Sequence, residues 1–165
     1  MTPSILIVED ERQAALWLKL HVETIWPECQ PRLCATTDLD AALESGGGSD
    51  TEILLMGIRF GNRNGSSNGD FGQLRTLRRR HMDLQILVVA SNGSELTAVR
   101  SLQLGASDYL PRDLLTPQLL AQRLRAALRR SRLHLARERK RLADASAVMD
   151  SVPGAQALEE SGDSE

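Results

Sequence analysis

Short apolar runs alternate with helically spaced apolar residues along the first 130 positions of the chain. Residues 4–8, 52–56 and 85–90 are nearly continuous apolar runs, which is typical of strands buried on both faces of a parallel sheet. Residues 32–36 and 108–110 are weaker strand candidates. The pattern therefore predicts five strands.

Apolar residues three or four positions apart predict helices between these strands. A further, long helix is predicted to begin at Thr116 and Pro117, which suit the N-cap and the first turn. The Gly, Asn and Ser content of residues 61–70 predicts a loop. Together these elements predict an α/β fold, a doubly wound five-stranded parallel sheet with an extended C-terminal helix. The shorter helices are predicted at residues 12–24, 38–44, 71–81 and 94–104.

Ligands of such sheets bind outside the carboxyl ends of the strands. The acidic pair Glu9 and Asp10 directly follows the first predicted strand. Functional chemistry is therefore expected just after Val8, Met56, Ala90 and Leu110.

Four segments at these strand ends resemble the receiver domains of bacterial two-component response regulators. They are ILIVEDE at 5–11, EILLMGIRF at 52–60, QILVVAS at 85–91 and LGASDYLPR at 104–112. The resemblance covers about residues 1–130 and implies the flavodoxin-like receiver fold. It also implies a site that takes phosphate from a histidine kinase onto an aspartate after the third strand, with a magnesium ion held partly by an acidic pair.

Several positions depart from the pattern that the resemblance implies. Glu9 and Asp10 match the acidic pair, with Asp10 the better candidate for metal contact, but Gly57 falls on the phospho-acceptor position. Glycine has no side chain that could attack phosphorus, so phosphorylation by the family route is excluded. The resemblance is therefore to a degenerate, aspartate-less pseudo-receiver.

Two further positions of the phosphorylation pocket have changed. Ala90 falls on the Ser/Thr position and lacks its hydroxyl, although the neighbouring Ser91 could replace it if the register slips by one. Arg112 falls on the lysine position, which keeps the charge but not the compact ammonium group. A hidden acceptor at Asp50 or Asp70 is disfavoured because neither residue reaches the third strand's end without breaking its apolar run.

The acidic pair has two interpretations. Glu9 and Asp10 either keep a weak magnesium site or form a remnant neutralised by Arg112. The second is favoured because a divalent ion needs more hard oxygen ligands than two side chains offer. No cofactor is otherwise expected. Cys29 and Cys34 lack the spacing of a zinc site and are interpreted as ordinary thiols.

Charge divides the last third of the chain into two blocks. Residues 123–141 carry nine Arg or Lys and one Glu, and residues 142–165 carry six Asp or Glu and no Arg or Lys. Block patterning of this kind often marks an interaction segment. A seven-residue repeat of apolar residues consists of Leu128, Leu135, Leu142 and Met149. It indicates a weak coiled-coil seam, and a parallel dimer through this helix and a single unpaired helix are equally compatible with it.

The predicted organisation is a receiver-like domain at 1–130, a helical extension at 131–150 and a disordered acidic tail at 151–165. Neither a membrane span nor an export leader is recognised, so a cytoplasmic location is expected.

The function predicted from these features is a non-enzymatic signalling module that acts by protein contact or dimerisation. Its expected contact surfaces are the fourth and fifth helices and the C-terminal extension, and in a longer protein it would form the N-terminal regulatory domain. One alternative is a nucleic-acid-associated regulator that uses the Arg-rich helix, disfavoured because no separate recognition module follows. Another is a phosphotransfer-competent receiver with a non-standard acceptor.

Overall fold

Five parallel strands form one sheet in the order β2-β1-β3-β4-β5 in the computed structural model, which describes residues 1–45, 50–61 and 67–152. The strands are β1 (Ile5–Val8), β2 (Arg32–Cys34), β3 (Ile53–Arg59), β4 (Gln85–Ser91) and β5 (Asp108–Pro111). The helices are α1 (Arg12–Ile25), α2 (Leu39–Ser45), α3 (Ser67–Arg80), α4 (Glu95–Gln103) and α5 (Pro117–Asp150). The predicted doubly wound α/β fold is confirmed.

Alternate residues of the central strands face two separate apolar cores, as expected for a sheet covered on both sides. Leu54 and Met56 of β3 lie in the core beneath α2 and α3. Ile53 and Leu55 of the same strand lie in the core beneath α1 and α5. These four side chains are at most 2% exposed, so β3 is fixed in register from both faces.

Three predicted boundaries were wrong. The third strand does not end at Met56 but continues to Arg59, so Gly57 lies within β3 and pairs with Val89. The second strand ends at Cys34, and a 3-10 turn begins at Thr36. Helix α3 begins at Ser67, inside the segment predicted as a loop; residues 62–66 of that segment lie outside the described residues.

Helix α5 begins where its sequence predicts. Thr116 Oγ1 accepts a hydrogen bond from the Leu119 backbone N–H at 3.1 Å, which satisfies one of the free amide groups of the first turn. The chain divides into two compact units, Met1–Ser131 and Arg132–Glu165. The disordered tail predicted from residue 151 falls largely at 153–165, outside the described residues.

Within residues 1–45, 50–61 and 67–152, none of the helices combines the length and the apolar character that crossing a membrane requires.

Candidate functional site

The carboxyl ends of β1, β3, β4 and β5 meet at one edge of the sheet. The strand order reverses between β1 and β3, which is where ligand crevices form in open α/β sheets. Glu9 follows β1, Gly57 lies in β3, and Arg112 follows β5. The structure therefore brings these three predicted site residues to the same edge.

Glu9 and Arg112 form a short, largely enclosed ion pair. Arg112 Nη2 donates to Glu9 Oε2 at 2.6 Å. The side chain of Glu9 is 10% exposed and that of Arg112 is 28% exposed, so water screens the pair less than it screens a surface pair. Glu9 Oε1 also accepts a hydrogen bond from the Glu11 backbone N–H at 3.0 Å. Both oxygens of Glu9 are thus engaged inside the protein.

The Glu9 carboxylate occupies the space above Gly57. A Cβ atom built on Gly57 would overlap Glu9 Oε2 and lie too close to its carboxyl carbon. A side chain at position 57 and the observed Glu9 conformation therefore exclude each other. A side chain at position 57 would therefore require the carboxylate end of Glu9 to shift.

Asp10 is held by a different partner. Its Oδ1 accepts from the Thr36 backbone N–H and its Oδ2 from the Thr36 hydroxyl, both at 2.8 Å. These bonds tie the end of β1 to the 3-10 turn after β2. The sequence predicted the acidic pair as a unit, but the two carboxylates serve separate contacts.

This arrangement does not suit a magnesium ion. Magnesium requires near-octahedral oxygen coordination and usually binds through carboxylates that are free to approach it. Glu9 is paired with a cation, Asp10 is paired with Thr36, and Gly57 supplies no oxygen from a side chain. Across the described ranges, no three His, Cys, Asp or Glu side chains are grouped closely enough to hold a metal ion.

The remaining predicted pocket residues lie at the end of β4. Ala90 is 3% exposed and packs in the core that contains Met56 and Ile58. Ser91 is the last residue of β4, and its carbonyl accepts from the Phe60 backbone N–H at 2.8 Å. Ala90 therefore offers only a buried methyl group where the resemblance implies a hydroxyl.

Neither alternative acceptor is placed at this edge by the described contacts. Asp50 is exposed and precedes β3, so it lies toward the opposite, amino end of that strand. Asp70 falls within α3, but its side chain is outside what the structure describes.

Several residues of the site were missed by sequence reasoning. Arg59 forms an exposed ion pair with Glu11 at 3.1 Å, and it was missed because β3 was predicted to end too early. Thr97 Oγ1 and Tyr109 Oη lie 3.1 Å apart and join α4 to β5. Tyr109 lies in the segment LGASDYLPR, which resembles receiver domains, but nothing in the sequence identified Thr97 as its neighbour.

Arg112 carries one further feature that its sequence position does not reveal. Its Nε is buried and has no hydrogen-bond partner among the described residues. Burying a hydrogen-bond donor without a partner lowers the stability of the folded state. The short hydrogen bond from Arg112 Nη2 to Glu9 is the main interaction that offsets this cost.

The two thiols behave as ordinary cysteines. Both are free, Cys29 is buried, and burial raises the pKa of each. Nearby carboxylates act in the same direction, Glu23 on Cys29 and Asp38 on Cys34. Neither environment favours the thiolate form that reactive cysteines require.

The predicted partner-binding seam on α5 needs one correction. Leu128 is 8% exposed and packs in the core beneath α1 and α5, so it is not available to a partner. The other three seam residues are exposed, namely Leu135 at 40%, Leu142 at 68% and Met149 at 78%. The apolar seam that is available to a partner therefore begins at Leu135.

Residues 5–125 match the response regulator receiver domain family. The chain belongs to this family. This receiver domain is 33% identical over 129 residues to the transcriptional regulatory protein CpxR of Escherichia coli K12, a match that covers 77% of this chain and 50% of CpxR. It is 32% identical over 127 residues to the transcriptional regulatory protein YkoG of Bacillus subtilis, covering 77% and 51% of the two chains. The chain spans about half the length of these curated relatives.

Solved structures show the same fold. The receiver domain of NtrX from Brucella abortus matches with a TM-score of 0.61 at 21% identity, covering 76% of this chain and 98% of that one. The signal receiver domain of a LuxO repressor protein from Vibrio parahaemolyticus matches with a TM-score of 0.63 at 20% identity, covering 84% of this chain and 98% of that one.

Because two curated relatives are named transcriptional regulatory proteins, the comparisons do not support the expectation that nucleic acid is an unlikely partner.

Proposed function

We propose that this receiver domain is an aspartate-less pseudo-receiver, a non-enzymatic signalling module that works without phosphorylation. The observation that carries the proposal is the position of the Glu9 carboxylate, which fills the space above Gly57 and is held there by Arg112. A phosphoryl acceptor and the internal ion pair would need the same volume. The pocket is thus closed by the protein's own side chains.

A closed pocket leaves the domain in one conformation. A ligand shifts a conformational equilibrium only if it binds the two states with different affinity, and phosphate has no acceptor at Gly57. Thr97 and Tyr109 keep α4 joined to β5 through their hydroxyl groups. The contact surfaces of the domain are therefore presented permanently.

Protein contact is the proposed output. Helix α4 exposes three apolar side chains on consecutive turns, Leu96 at 76%, Val99 at 52% and Leu102 at 49%. The second unit exposes Leu135 and Leu142. Exposed apolar side chains that line up along a helix indicate an interaction surface. We propose that the helical extension joins two copies of the chain, while α4 contacts a further protein.

Light scattering on the full chain tests dimerisation. The expected result is a dimer for the native chain, and a monomer when Leu135 and Leu142 are both replaced by Asp, because charge on the seam opposes its burial. Leu133→Asp is the matched control, since Leu133 is 58% exposed but lies off the seam, and it should leave the dimer intact. A monomeric native chain would overturn the proposed dimer.

A nucleic-acid-associated function is the second candidate. Arg125, Arg129, Arg137 and Arg139 are exposed on α5, and the curated relatives are named transcriptional regulatory proteins. Binding to a phosphate backbone would weaken steeply with salt because condensed counterions are released. Duplex DNA titrated at two salt concentrations tests this candidate, and affinity that vanishes on shortening the chain at Arg130 would support it.

The curated relatives are about twice as long as the segment that matches this chain. Because the match covers 50% of CpxR and 51% of YkoG, we propose that the chain serves as the N-terminal regulatory domain of a larger signalling protein.

A further inference from the structure

The described part of the second unit carries an exposed apolar stripe along one helix face. Leu135, Leu142 and Met149 recur every seven residues; Glu138 and Ala145 occupy the seam positions between them, and Val152 occupies the next one. The five apolar residues are exposed, Met149 at 78% and Val152 at 60%. A stripe with this spacing fits a second helix packed alongside it.

The charge of the unit changes sign at the middle of the stripe. Residues 132–141 carry five Arg or Lys and one Glu, a net charge of 5 − 1 = +4. Residues 142–152, the acidic half of the stripe, carry Asp144 and Asp150 and no Arg or Lys, a net charge of −2. Leu142 marks the boundary between the basic half and the acidic half. The apolar stripe continues across this boundary, and its one charged seam position, Glu138, pairs with Arg141 of the same helix.

We propose that the stripe binds a second copy of this chain in the antiparallel orientation. In a parallel pair the two basic halves would lie side by side, as would the two acidic halves, and like charges flanking a coiled-coil seam are unfavourable. In an antiparallel pair each basic half lies beside the acidic half of the other copy. A two-fold axis close to Leu142 then brings the Leu135 end of one stripe beside the Met149 end of the other.

The antiparallel pair rests on the proposed function, because it requires a dimer. It adds the orientation, which the apolar repeat alone leaves open. The stripe from Leu135 to Val152 is short for a coiled coil, and charge complementarity selects its orientation more than it adds affinity.

Disulfide trapping on the full chain tests the orientation. Leu135→Cys and Met149→Cys chains, one of them carrying a mass tag, are mixed under mild oxidation, and the native chain sets the background from Cys29 and Cys34. The expected result is a mixed disulfide that exceeds the sum of the two homodisulfides severalfold. Predominant homodisulfides would establish a parallel pair and overturn the proposal. Disulfides no more abundant than background would also overturn it.

Salt dependence gives an independent readout. Oppositely charged halves attract, so the dissociation constant of an antiparallel dimer should rise as sodium chloride is added. The dissociation constant of a parallel dimer should fall, because salt screens its repulsion. Light scattering separates the two levels of failure: a monomer at all salt concentrations contradicts the proposed dimer itself, whereas a dimer strengthened by salt contradicts only the orientation.

Discussion

At the scale of single residues, Gly57 and Glu9 behave as one unit, because the carboxylate of Glu9 fills the volume beside Gly57. We predict that Gly57→Ala lowers the free energy of unfolding by about 1.5–3 kcal/mol, which is the typical contribution of a hydrogen bond to a charged group. The added methyl group displaces Glu9 from Arg112. Urea unfolding monitored by circular dichroism measures the change in the free energy of unfolding.

The matched control is the same Gly57→Ala substitution made in a chain that already carries Glu9→Ala. With the carboxylate removed, Gly57→Ala should be neutral or stabilise by about 0.5–1 kcal/mol, because alanine restricts the unfolded chain more than glycine does. Equal effects of Gly57→Ala in the two backgrounds would show that Glu9 does not occupy the space in solution.

The sequence identified these residues and an ion pair with Arg112, but not which carboxylate takes part in it. Glu9, Gly57 and Arg112 could be placed at one edge because the carboxyl ends of parallel strands meet there. An ion pair between Arg112 and the acidic pair was predicted, and the structure shows it with Glu9 as the partner. The choice of Glu9 over Asp10 depends on Thr36, which takes both oxygens of Asp10. That contact joins residues far apart in the chain, and local patterns carry no information about it.

At the scale of elements, the ion pair links two strands that are not neighbours. Arg112 follows β5 and Glu9 follows β1, and β3 and β4 lie between them in the sheet. We predict that Arg112→Met destabilises the domain by about 1.5–3 kcal/mol, because it leaves the largely buried Glu9 carboxylate without its cation. The midpoint of urea unfolding measures this loss.

Arg59→Met is the control for the loss of an arginine at the same edge. The ion pair of Arg59 with Glu11 has side chains 61% and 49% exposed, and exposed pairs contribute less than about 1 kcal/mol. The predicted order is a large loss for Arg112→Met and a small loss for Arg59→Met. The reverse order would contradict the linking role of the Arg112 contact.

Element types were predictable and several element ends were not. The third strand was predicted to end at Met56 because the continuous apolar run ends there, but pairing of Gly57 with Val89 and of Arg59 with Ser91 extends β3 through both positions. Main-chain hydrogen bonds to a neighbouring strand do not depend on side-chain polarity. Leu128 shows the same limit: its heptad position indicated a partner surface, whereas tertiary packing placed it in the core.

At the scale of the whole molecule, the chain combines a receiver domain with a C-terminal extension in which a basic block precedes an acidic one. Residues 5–125 belong to the receiver family, and the charge blocks at 132–141 and 142–165 lie beyond that match. The fold was predictable because its three central strands are strongly apolar and strands and helices alternate regularly along the chain. The orientation of a second copy was not predictable from the heptad repeat, because a repeat of apolar residues fits both directions.

Intact-mass spectrometry after incubation with a small acyl phosphate and magnesium measures whether the domain can be phosphorylated. A receiver domain that carries the acceptor aspartate, treated in parallel, shows that the phosphodonor is active. We expect no gain in mass for this chain, because Gly57 has no nucleophile and Glu9 is held by Arg112. A gain of one phosphoryl group on the folded native chain would show that the domain has an acceptor and is not a pseudo-receiver.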